Sequence, residues 1–157
     1  TQMMMRTFLL IVSLVVSIAL SLRTETVDVQ LPFGHVIGLR SSTGGATFWD
    51  IPFADPPIRF APPLPWTKQY PNDQLDCTVN KRIKCFQPSG GTEDCLILNI
   101  FVPPSFQKQQ RQPRPVLFWI YGGGYWMGES GWDGIDVTHN ENATDSILGT
   151  VNYRIGS

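Results

Sequence analysis

The feature that most restricts this chain is Val116-Leu117-Phe118-Trp119-Ile120-Tyr121, an unbroken apolar run with Gly122-Gly123-Gly124 directly behind it. The run has the length of a strand and shows no alternation of polar and apolar positions. Such a stretch suits a strand covered on both faces, as in a parallel sheet sandwiched by helices. The glycines then place a bend at the end of that strand, where open α/β sheets bind ligands. Glycine admits positive φ there and lets a ligand approach the backbone, because no Cβ intervenes. Main-chain N–H groups bared in this way can face an anion, such as the oxygen of a tetrahedral acyl-transfer intermediate. The competing explanation is a plain tight turn, and three glycines alone do not separate the two.

The composition is that of an ordinary globular protein. Hydrophobic residues make up 42% of the 157, charged residues 16%, and the net charge is −1. That balance offers no electrostatic case for nucleic acid or an anionic membrane as partner. No metal-ligand or cofactor motif is read. Thirteen prolines and fourteen glycines mark a chain rich in loops.

Residues 1–22 read as a secretory signal peptide. Arg6 supplies the positive region, Phe8 to Leu20 the apolar one, and Ala19-Leu20-Ser21 the small residues of a cleavage site. The apolar run is too short for a spanning helix. A chain that opens on Thr1 ahead of Met3 is expected to extend further upstream. The mature domain is then residues 23–157. An extracellular route permits disulfides, and with Cys77, Cys85 and Cys95 one cysteine must be left over or pair outside the chain. Asn142-Ala143-Thr144 is a glycosylation sequon fitting a surface loop.

Thr26 to Leu31 alternates, Pro32-Phe33-Gly34 breaks it, His35 to Leu39 follows, and Thr43-Gly44-Gly45 turns into Ala46 to Ile51. This predicts a small antiparallel meander. Residues 51–71 are proline-rich, but Phe53, Ile58, Phe60 and Trp66 need burial, so an ordered segment laid across a core is expected rather than a linker. Cys95 to Val102 and Ser146 to Tyr153 are predicted strands on either side of the Val116 strand in sequence. His35, in a strand, is expected to be structural or solvent-exposed.

Six segments, in order, then resemble the signatures of the type-B carboxylesterase and cholinesterase family. They are Phe48 to Ala54, Arg59-Phe60-Ala61-Pro62-Pro63, Glu93-Asp94-Cys95-Leu96-Ile97-Leu98-Asn99, Trp119 to Tyr125, Trp132-Asp133-Gly134 and Val151-Asn152-Tyr153-Arg154-Ile155-Gly156. The resemblance implies an α/β-hydrolase fold of which this chain is the amino-terminal part, holding the meander and the first strands of the central sheet. It implies a serine esterase acting on small-molecule esters, with Gly123 and Gly124 as oxyanion donors and no cofactor. Tyr125 and Trp126 are expected on the substrate side of the loop. Cys85 would pair with Cys95, leaving Cys77 as the odd thiol, and Arg59 would form an ion pair with Glu93.

The resemblance also sets limits. Phe86 is the one aromatic residue between Phe86 and Asp94, where cholinesterases hold a quaternary ammonium on tryptophan, and this argues against acetylcholine. Gly128-Glu129-Ser130-Gly131-Trp132 imitates a Gly-x-Ser-x-Gly elbow but ends on Trp132 and follows no strand, so Ser130 is not the expected nucleophile. His139 precedes any serine the fold's triad order would allow. The triad is therefore expected downstream of Ser157, and the fragment alone is expected to be inactive and poorly stable. The alternative function is that of a cell-surface adhesion protein that keeps the fold and lacks the catalytic serine.

Overall fold

The structure, a computed structural model, describes residues 25–107, 113–139 and 145–156. The signal-peptide reading and the Asn142 sequon lie outside these residues. The strands are β1 Thr26–Leu31, β2 Gly34–Arg40, β3 Ala46–Pro52, β4 Gln74–Asp76, β5 Ile97–Val102, β6 Val116–Ile120 and β7 Ile147–Val151. They form one mixed sheet in the order β1-β2-β3-β5-β7-β6, with β4 beside β2. A single short helix, α1 (Ile135–His139), and two 3-10 turns, Pro71–Asp73 and Pro104–Gln107, complete the regular elements among the described residues.

The predicted meander is present. β1 and β2 pair along their whole length, Thr26 opposite Leu39 through Leu31 opposite Gly34. β2 meets β3 only at Leu39–Thr47 and Arg40–Ala46. Its other end takes β4 as a parallel neighbour, His35 opposite Gln74 through Ile37 opposite Asp76. The short segment at β4 thus wedges between β2 and β3. Cys77 completes the wedge: its N–H donates to the Ile37 carbonyl, and its carbonyl accepts the Trp49 N–H. Three residues of Gln-Leu-Asp carry no periodic signal, and the sequence reading missed this strand.

Val36, Phe48, Ile51, Tyr70 and Cys77 form the core beneath the meander. Burying side chains of this size is worth about 1.5–3 kcal/mol each. On the other side of the sheet, Phe101 is fully enclosed and meets Trp49 edge-to-face at 5.1 Å, with Leu148 and Ile135 against them. A smaller cluster gathers Ala54, Leu96 and Ile155 around the cysteines Cys85 and Cys95.

β6 reads as a strand that needs cover on both faces, with its covering helices expected mostly outside this chain, and every residue from Val116 to Ile120 is exposed. It is the edge strand, paired in parallel with β7 and with nothing beyond it among the described residues. The apolar run reports a strand built for cover that these residues do not provide. The proline-rich segment is ordered as expected, but only its ends pack. Ala54 is buried, and Trp66 lies on Tyr70 with ring centroids 5.9 Å apart. Ile58, Phe60 and Leu64 point into solvent.

Cys77 has no disulfide partner and no exposed surface, and burial pushes its thiol up from 9.0 to about 12. The folded chain therefore keeps the neutral thiol where the unfolded chain would ionise, so this group costs stability as pH rises above 9.0 towards about 12. At about pH 8, iodoacetamide is expected to leave Cys77 unmodified in the native chain and to label it in urea. Rapid labelling without denaturant would show that the thiol is not enclosed.

Candidate active-site loop

The glycine bend leaves β6 through Tyr121, and the backbone there follows from its residues. φ is +131° at Gly123, +63° at Gly124 and +61° at Tyr125, a left-handed stretch that side chains resist. The Gly123 carbonyl accepts the N–H groups of Trp126 (3.1 Å) and Met127 (3.3 Å), closing a tight turn. A Cβ on Gly123 would fall 1.8 Å from the Met127 carbonyl oxygen. Among the described residues, the N–H groups of Gly123 and Gly124 themselves donate to no acceptor.

Those glycines line an open cleft of about 460 Å³, together with Tyr121, Tyr125, Val151 and Tyr153. Tyr125 is largely exposed on its rim, whereas Trp126, exposed too, does not line it. Of the two side chains expected to meet substrate, one is at the cleft.

The loop is fastened at three points. At its start, Tyr121 and Tyr153 stack with centroids 4.3 Å apart, and each hydroxyl donates to the other's carbonyl, at 3.0 and 2.7 Å. Burial pushes the Tyr121 phenol upward, keeping it a donor. Midway, the Gly156 N–H donates to the Tyr125 carbonyl. At the far end Gly128 (φ +136°) packs on the Tyr121 ring, where a Cβ would come within 2.3 Å. Its peptide groups are held by Gln87.

Cys85 and Cys95 are joined by a disulfide, ten residues apart. A loop of about that size adds roughly 3 kcal/mol by chain entropy, a model-dependent figure. Arg59 pairs with Glu93 through Nε and Oε1, and its guanidinium lies 4.9 Å from the Phe86 ring centroid. Both partners are partly exposed, so the ion pair ties the proline-rich segment to the disulfide loop more than it stabilises the fold. His35, on β2, lies 2.8 Å from Asp28 on the neighbouring β1, and both side chains are partly exposed.

Ser130 is fully buried, and its hydroxyl donates to Asn152 Oδ1 at 2.9 Å. It belongs to a polar network that sequence reasoning missed. Asn99 Nδ2 donates to the Ser130 carbonyl and to Thr150 Oγ1, both at 3.0 Å, while Asn99 Oδ1 accepts the Asp50 N–H. Asn152 Nδ2 reaches the Ile83 carbonyl at 2.9 Å, and its Oδ1 also accepts the Ser130 N–H. The signal was available: two asparagines inside otherwise apolar strand signatures need partners once buried.

A mixed sheet with a glycine-loop cleft at the end of its parallel strands is the amino-terminal part of an α/β-hydrolase esterase fold. A thermophilic PNB esterase superposes with a TM-score of 0.68 at 32% identity, covering 82% of this chain and 28% of that one. A Geobacillus stearothermophilus carboxylesterase does so with a TM-score of 0.67 at 30% identity, over 82% and 27%. The carboxylesterase family model matches residues 24–157, and the chain belongs to that family. It is similar to gut esterase 1 of Caenorhabditis elegans (38% identity, covering 82% of this chain and 23% of that protein). It is also similar to liver carboxylesterase 1F of Rattus norvegicus (33% identity, covering 95% and 30%). The chain thus spans less than a third of the length of either relative.

Replacing Asn99 with leucine removes one acceptor and two donations at once. The expected loss is about 1–3 kcal/mol for each buried group left unpaired. Urea unfolding of the variant measures it, and an unchanged midpoint would show that the network contributes nothing.

Proposed function

We propose that the protein carrying these residues is a secreted carboxylic ester hydrolase, to which this chain contributes the oxyanion loop. The observation that supports the reading most is the pair of unengaged amides at Gly123 and Gly124, set in a cleft at the end of β6. Such donors stabilise the charge that develops on an ester carbonyl oxygen when a nucleophile adds. The serine nucleophile and its histidine and carboxylate partners come from outside these residues. Ser130 is enclosed, and His35 on β2 contacts Asp28 and does not line the cleft, so neither can attack or accept a proton there. Secretion is carried by the signal at 1–22, and the disulfide suits the oxidising route it implies.

Two glycine variants of the longer protein test the loop's part. Gly123→Ala meets both the Met127 carbonyl and a forbidden φ, whereas Gly122→Ala meets no atom within 4 Å. Gly123→Ala is expected to lower kcat on a p-nitrophenyl ester by about 10²–10³, the usual consequence of losing one oxyanion donor. Gly122→Ala should retain activity. A folded wild-type protein that hydrolyses no ester would sink the enzymatic reading in favour of a non-catalytic adhesion role.

For the isolated 157-residue chain we expect no hydrolysis of a chromogenic short-chain ester. Turnover by this chain that disappears in Ser130→Ala would contradict the assignment of the nucleophile elsewhere.

A further inference from the structure

Gln87 is a polar side chain that the proposed chemistry does not use, and it is only 5% exposed. It sits inside the loop closed by Cys85 and Cys95, on a small hairpin. Phe86 N–H donates to the Thr92 carbonyl, Thr92 N–H to the Lys84 carbonyl, and Gly90 N–H to the Gln87 carbonyl. The side-chain amide turns away from this hairpin and engages both sides of one residue 41 positions later. Nε2 donates to the Gly128 carbonyl at 3.1 Å, and Oε1 accepts the Gly128 N–H at 3.0 Å. Nε2 also donates to the Cys85 carbonyl at 3.2 Å, which fixes the amide against the half-cystine.

We propose that Gln87 is a positioning residue for the oxyanion loop, pinning its far end at Gly128 to the disulfide-closed hairpin. The inference rests on the hydrolase reading above and deepens it. Tyr153 holds the loop where it leaves β6 and the Gly156 N–H holds the Tyr125 carbonyl, but neither contact fixes the end of the turn at Gly128. The Gly123 carbonyl bonds to the N–H groups of Trp126 and Met127, so a shift at Gly128 is carried back through two residues into the turn. A bidentate amide clamp restrains both translation and rotation of the Gly128 peptide groups, which a single hydrogen bond does not. A misplacement of about 1 Å in a catalytic constellation costs on the order of 10²-fold in rate. Gln87 therefore acts on the transition state through the loop, without touching substrate.

The test uses the full-length protein, a p-nitrophenyl ester as substrate and an alkyl trifluoromethyl ketone as probe. Serine adds to the ketone carbonyl to give a hemiketal whose oxyanion occupies the same donors. Gln87→Leu removes donor and acceptor together. We expect kcat to fall about 10- to 100-fold with KM within about twofold, and the ketone's inhibition constant to rise by the same factor as kcat falls. Gln87→Glu is the second variant. Ionised, it keeps the acceptor for Gly128 N–H and loses the donor. Protonated, its O–H replaces that donor, so its deficit relative to wild type is expected to shrink as pH is lowered.

A folded Gln87→Leu variant with unchanged kcat and unchanged ketone affinity would overturn the proposal. So would a rise in KM alone, or loss of folding in both variants, which would mark Gln87 as structural only. Wild-type protein that neither turns over the ester nor binds the ketone would remove the hydrolase reading itself, and the proposal with it.

Discussion

Asn99 stands where β3 and β5 fall out of register, between Phe48 and Ile51, and it takes up one of the N–H groups the ladder leaves free there. A bulge frees backbone groups, and buried ones must find partners. The Trp49 N–H finds the Cys77 carbonyl, and the Asp50 N–H finds Asn99 Oδ1. The other end of the Asn99 amide crosses the sheet to Ser130 and Thr150. One side chain thereby connects the meander, the central strands and the segment after the glycine loop. Asn152 repeats the device from β7's end, joining Ser130 to Ile83. Buried amides of this kind are costly when half satisfied, so the network admits few alternative arrangements.

That constraint explains how a chain with a bare edge still holds its loop in place. β6 is exposed along its whole length, but its successor Tyr121 is buried and locked to Tyr153. The rigid parts of the site are those that reach back to the network and to the disulfide hairpin. The unfinished part is the apolar surface of β6, which suits a chain covering less than a third of its relatives.

Much of the fold was legible because it is written in short-range pattern. Alternation marked β1, an apolar run marked β6, and the signature around Glu93 to Asn99 has a visible use for nearly every polar position. Glu93 holds Arg59, Cys95 closes the disulfide, and Asn99 spans the bulge. What escaped was pairing across distance. Gln87 with Gly128 and Tyr121 with Tyr153 are 41 and 32 residues apart, and neither pair has a period or a local motif to announce it. Burial was misjudged for Ile58 and Phe60 because apolar character signals a need for cover, not the cover itself.

Cys77 has a consequence for how the chain can oxidise. Three cysteines allow three pairings, and two of them would have to draw Cys77 out from between β2 and β3. Doing so would strip the Trp49 N–H of its acceptor and dismantle the short parallel strand beside β2. The wedge thus acts as a proofreader: a wrongly crosslinked chain cannot close its core, and only the local bridge is compatible with the finished sheet.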